Sequence, residues 1–141
     1  MSYENERAMI AFARGEVGKS FAWGLRDCNT LALQCLDILT LRYGYADMAV
    51  DQYSDEVGAR AHQLDNPTIV DVLCNAGAVE GSFPPRAGDF LIVDRADEPW
   101  QRAHICVGSK YISADPVLGV ALLPIRTLDP SFYILRIDQV Q

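Results

Sequence analysis

Two patterns of hydrophobic positions divide the chain. Up to about residue 77 apolar residues recur every three or four positions; from Ser82 they come in short β-branched runs punctuated by proline and glycine. Ala8, Ile10, Ala11, Ala13 and Val17 lie among charges and predict an amphipathic helix over 4–17, ended by Gly18. Leu31, Ala32, Cys35, Leu36 and Leu39 make one face of a helix over 28–42, which Gly44 stops. The polar stretch 45–65 admits a short helix over 55–63, capped by Ser54, with His62 on its solvated side. Asn66-Pro67 joins a cap to a residue suited to the first helical turn, so another helix should run to Asn75, with Ile69, Val70, Leu73 and Cys74 inward. Strands are expected at 89–94, 102–108, 110–114, 119–123 and 132–137, with Gly108-Ser109-Lys110 as a hairpin turn. Helices first and an antiparallel sheet afterwards is an α+β plan. With no repeat or linker, the 141 residues are expected to form one domain, 1–141.

Charge narrows the partners. The formal net charge is −7 and Lys and Arg are scattered, which argues against nucleic acid and against an anionic membrane surface. The opening MSYENERAMIAFARGE lacks the basic-then-apolar order of a secretory signal, and no stretch reaches transmembrane length. Synthesis in a cytoplasm is expected, with any later location reached by another route. Cys28, Cys35, Cys74 and Cys106 form no C-x-x-C pair, and His62 and His104 stand far from such spacing. No metal and no cofactor is therefore expected, and the cysteines read as free thiols.

The stretch FAWGLRDCNTLALQCL, residues 21–36, holds the candidate chemistry. Asp27 is placed to cap a helix and Cys28 to sit on its first turn, near the positive end of the helix dipole. That position favours the thiolate, which is the nucleophilic form. The bland alternative is a small apolar residue opening a core helix. His104, in RAHICVG, is the only histidine of the strand-rich half. It reads either as a satisfied core or edge residue or as the base that activates a nucleophile. A helix-mouth cysteine followed far downstream by a strand histidine is the order of papain-like cysteine enzymes.

The succession GKSFAWGLRDC, RAGDFLIVD and AHICVGSKYISAD resembles the NlpC-type cell-wall cysteine peptidases over residues 18 to about 123. The tight loop and short chain resemble the branch encoded in tailed-phage tail-tip gene clusters. The resemblance implies a papain-like fold, with Cys28 as nucleophile, His104 as base and Asp89 of the Gly-Asp turn as a structural residue. It implies that Phe21, Trp23, Gly24 and Asp27 belong to the substrate-binding loop. Phe21 stands where the family has a tyrosine. Ser113 stands where the family has His, Asn or Gln to orient the base, and Asp115, on the same side of a strand, could substitute.

The implied activity is hydrolysis of peptidoglycan stem-peptide amide bonds during genome entry, in a virion tail tip beside other tail-tip or hub proteins. The missing tyrosine and the short Ser113 favour a second expectation, a structural tail-tip subunit on the same scaffold with little or no activity. A host-derived amidase or acyltransferase is the third.

Overall fold

The computed structural model describes residues 3–98 and 101–137. Four helices come first: α1 (Tyr3–Glu16), α2 (Cys28–Thr40), α3 (Glu56–Asp65) and α4 (Ile69–Asn75). Six strands follow: β1 (Ala78–Gly81), β2 (Phe90–Val93), β3 (Arg102–Ile105), β4 (Lys110–Asp115), β5 (Gly119–Pro124) and β6 (Tyr133–Ile137). All strand pairs are antiparallel, in a four-stranded sheet ordered β1-β6-β2-β3 and a β4-β5 hairpin. The α+β plan is as expected from the two hydrophobic periods. No helix among the described residues is long and apolar enough to cross a membrane.

Alternation along the strands gives the sheet two apolar faces. Phe90, Ile92, Ala103, Ile105, Leu135 and Ile137 pack towards the helices, with Met9, Leu36, Leu39 and Leu73 among the residues that meet them. Leu91, Val93 and Ile134 turn the other way, onto Cys106, Tyr111 and Leu128. β2 is thus buried on both faces, which is why FLIV shows no polar alternation. α2 buries Leu31, Ala32, Cys35, Leu36 and Leu39, the face expected from its spacing.

Several local expectations are corrected. α2 stops at Leu41, whose backbone is left-handed (φ 54), three residues before Gly44. Asp55 caps α3, accepting the Gly58 amide, in place of Ser54; Thr68 caps α4, accepting the Asp71 amide, in place of Asn66. Cys74 is exposed. α4 buries Ile69, Val72 and Leu73, and one more residue turns the side chain by about 100° away from that face. β1 was not expected at all. It is an edge strand whose Val79 and Glu80 both face solvent, so it carries no period-two signal.

Candidate active site

Asp27 fixes the mouth of α2. Its Oδ1 accepts the Thr30 amide at 2.8 Å, while its Oδ2 accepts the Gly24 amide at 2.8 Å and the Tyr53 hydroxyl at 2.9 Å. One buried carboxylate therefore caps the helix, closes the preceding loop and anchors a tyrosine from a distant loop. Gly24 makes this possible. Its φ is +77, and a Cβ there would lie 2.0 Å from the Tyr53 carbonyl oxygen. Gly24 is buried under Tyr53 and is not among the described residues that line the cleft. Capping uses the third amide of α2, that of Thr30, and the amides of Cys28 and Asn29 precede it at the helix mouth.

β3 is the edge of its sheet, and Asn29 covers that edge. Its Oδ1 accepts the Ala103 amide at 2.8 Å and its Nδ2 donates to the Gln101 carbonyl at 3.0 Å, as a neighbouring strand would. Among the described residues, the one backbone bridge between the chain just after β3 and β4 pairs Cys106 with Tyr111. Continuing that register sets His104 opposite Ser113, but there the strands have parted. Two side chains fill the gap. His104 Nδ1 lies 3.0 Å from the Ile112 carbonyl, and Cys28 Sγ donates to the Ala114 carbonyl at 3.6 Å. Carbonyls two residues apart on a strand point the same way, about 6.6 Å from each other. The thiol and the imidazole thus hang from adjacent same-side carbonyls of β4.

Both side chains line one cleft of about 410 Å³, shared with Phe21, Trp23, Tyr53, Arg102 and Ser113. A carbonyl only accepts, so His104 Nδ1 carries a proton and Nε2 holds the lone pair. Nε2 is buried with no partner among the described residues. Burial pushes the His104 imidazole down to about 4, with the Arg102 charge adding to the shift. Burial also pushes the Cys28 thiol up to about 11, and Asp27 raises it further while Arg102 opposes. Burial thus works against the thiolate expected from the helix dipole, and both shifts favour the neutral thiol and the neutral imidazole.

The expected orienting residues do not hold the ring. Ser113 and Asp115 line the cleft, but the imidazole bonds the Ile112 carbonyl, and Asp115 Oδ1 accepts the Val117 and Leu118 amides of the β4-β5 turn. A backbone carbonyl replaces a side chain in that role. Phe21 and Trp23 line the cleft in an edge-to-face pair, centroids 4.8 Å apart. Asp89 is structural, as expected: buried, it accepts Arg136 Nε at 2.8 Å and Nη2 at 2.7 Å. Among the described residues no group of three or more His, Cys, Asp or Glu could hold a metal ion.

Residues 2–134 match a family model described as a domain of unknown function, DUF6950. The chain belongs to the DUF6950 family. No curated protein and no solved structure matches it. All the residues lining the cleft of this DUF6950 protein, from Phe21 to Pro116, fall inside the matched span.

Tyr53, Asn29 and Arg102 are among the residues of the DUF6950 cleft that sequence reasoning missed. Tyr53 is a lone aromatic in the acidic stretch DQYSDE, and that isolation was its only signal. Asn29 follows Cys28 and looks like an ordinary first-turn residue. Arg102 could have been found, since it lies two residues before His104 and so shares its strand face.

Proposed function

We propose that the cleft is the active site of an NlpC-type cysteine peptidase on a papain-like fold, hydrolysing amide bonds of peptidoglycan stem peptides. The phage tail tip, among other tail-tip or hub proteins, is the setting suggested by the sequence resemblance. The observation that carries the reading is the pairing on β4: Cys28 and His104 hang from the Ala114 and Ile112 carbonyls within one cleft.

In this mechanism the Cys28 proton passes to His104 Nε2 as sulfur attacks the substrate carbonyl carbon. The oxyanion receives the first-turn Cys28 and Asn29 amides, aided by the positive end of α2. The C–N bond breaks as His104 returns its proton to the leaving amine. Water, deprotonated by the same nitrogen, then attacks the thioester; the carboxylic acid leaves and sulfur regains a proton. Starting from a neutral pair, attack and proton transfer occur together.

Release of soluble amino groups from purified peptidoglycan tests this. The parent protein is expected to release them, and Cys28→Ala to lose the activity entirely. Equal release by both would remove Cys28 from the mechanism. The neutral resting pair and the carbonyl-held imidazole favour a second reading, a scaffold subunit with little or no activity. Absence of turnover in the parent would select it.

A further inference from the structure

We infer that Arg102 reads a carboxylate on the bound substrate, so that the cleft selects peptides bearing a free carboxylate beside the bond Cys28 attacks. This rests on the reading of Cys28 as nucleophile. Arg102 precedes His104 by two residues on β3, leaves the same face, and lines the same cleft as Cys28. Its Nε is buried and has no hydrogen-bond partner among the described residues. A guanidinium stays charged at any working pH, so a buried donor on it left without an acceptor is a standing cost.

The same molecule shows what such an edge accepts. Arg136 presents Nε and Nη2 to Asp89 and holds both carboxylate oxygens, at 2.8 and 2.7 Å. At Arg102 the corresponding edge is only partly taken, with Nε unmet. Glu98 engages only Nη2, at 3.1 Å, and that nitrogen carries a second proton. Nε and one Nη2 proton remain as donors, and an arginine Nε–Nη2 edge matches a carboxylate. The other acids along the cleft are held elsewhere: Glu56 pairs with Arg60, Asp27 caps α2, and Asp115 closes its turn.

Two alkylating reagents of nearly equal size test this without any need for turnover. Iodoacetate carries a carboxylate and iodoacetamide an amide. The labelling rates of both at pH 9 are read by mass spectrometry on the full chain, with exposed Cys74 as internal reference. The iodoacetate-to-iodoacetamide ratio at Cys28 is expected to exceed that at Cys74 by about tenfold, the scale of one charge-assisted hydrogen bond, with saturation in iodoacetate only. Arg102→Gln should bring the Cys28 ratio down to that of Cys74. Arg102→Lys keeps the charge and loses the fork, so it should retain only a small part of the preference. Equal ratios at Cys28 and Cys74, or full preference in Arg102→Lys, overturn the inference. If neither reagent labels Cys28, the nucleophile reading fails and the carboxylate site is judged by NMR. Titrating the Arg102 Nε–H signal with N-acetylglycinate and N-acetylglycinamide should then give a saturable shift with the first alone; no shift, or equal shifts, overturns it.

Discussion

Arg136 and Arg102 stand on strands of one sheet and differ in what their guanidinium edges meet. Arg136 comes from β6, inside the sheet, and both donors of its edge are taken by buried Asp89, with the Arg86 amide completing the carboxylate. Arg102 comes from β3, at the sheet edge, and pairs at one end with half-exposed Glu98 while Nε goes unmet. The contrast extends beyond the two arginines. Of the three buried side-chain polar atoms without a partner among the described residues, Arg102 Nε and His104 Nε2 both belong to residues of the cleft. The Gly-Asp turn is complete by itself, whereas the cleft has donors and a lone pair available to something else. Buried polar groups are nearly always paired, so two unmet atoms on neighbouring cleft residues set this region apart from the rest of the described chain.

Breaking the filled clamp should cost the most stability. Asp89→Ala strands the Arg136 guanidinium and the Arg86 amide, and the expected loss is about 3–5 kcal/mol, the range for removing one partner of a buried pair. The midpoint of urea unfolding reads it. A loss below about 1 kcal/mol would place the clamp with ordinary surface pairs.

The next effect belongs to the lone pair of His104. The folded imidazole titrates near 4, below its ordinary 6.5, so between these values the unfolded chain binds more protons. The stability from keeping the ring neutral is complete above pH 6.5 and is lost as pH falls towards 4. The scale is about 3 kcal/mol. His104→Gln can still donate to the Ile112 carbonyl but does not titrate. The difference in unfolding free energy between parent and variant should therefore shift by that amount between pH 7 and pH 4. Parallel curves would mean that the ring is solvated or already charged.

Opening the partly filled clamp should cost little. Arg102→Gln removes a half-exposed pair with Glu98 and an unmet buried donor together, so its urea midpoint should correspond to a change within about 1 kcal/mol. A destabilisation like that of Asp89→Ala would show that Arg102 is a structural fastening.

The legible parts of the molecule were those where one side chain serves one purpose. The α2 core face followed from its spacing, and Asp27 as cap followed from its position before an apolar helix. Cys74 was misplaced because a seven-residue helix gives too few turns to fix a face. What holds the imidazole was not legible, since it is a main-chain carbonyl and every residue has one. Its availability comes from β3 and β4 parting after a single bridge, a tertiary event with no local signature. The Arg102 edge was missed for a related reason: the sequence shows a charge, and only packing shows which charges are left without an acceptor.

The smallest effect should come from the residues that the sequence favoured as orienters of the base. Ser113 and Asp115 both line the cleft, yet the ring is held by Ile112, a backbone group that side-chain substitution leaves in place. Asp115 Oδ1 accepts two amides of the β4-β5 turn, and an asparagine oxygen there can do the same. Ser113→Ala and Asp115→Asn, singly or together, should therefore lower peptidoglycan turnover by less than about tenfold, or 1.4 kcal/mol in the barrier. Misorienting a catalytic histidine costs far more than that, about 10⁴-fold when its aspartate partner is lost in a serine protease triad. A fall of that size in the double variant, with the urea midpoint unchanged, would mean that the ring turns on substrate binding to take a side-chain partner. The Ile112 bond would then be only the resting arrangement, and the difference between the filled clamp and the open cleft would include the base as well as Arg102.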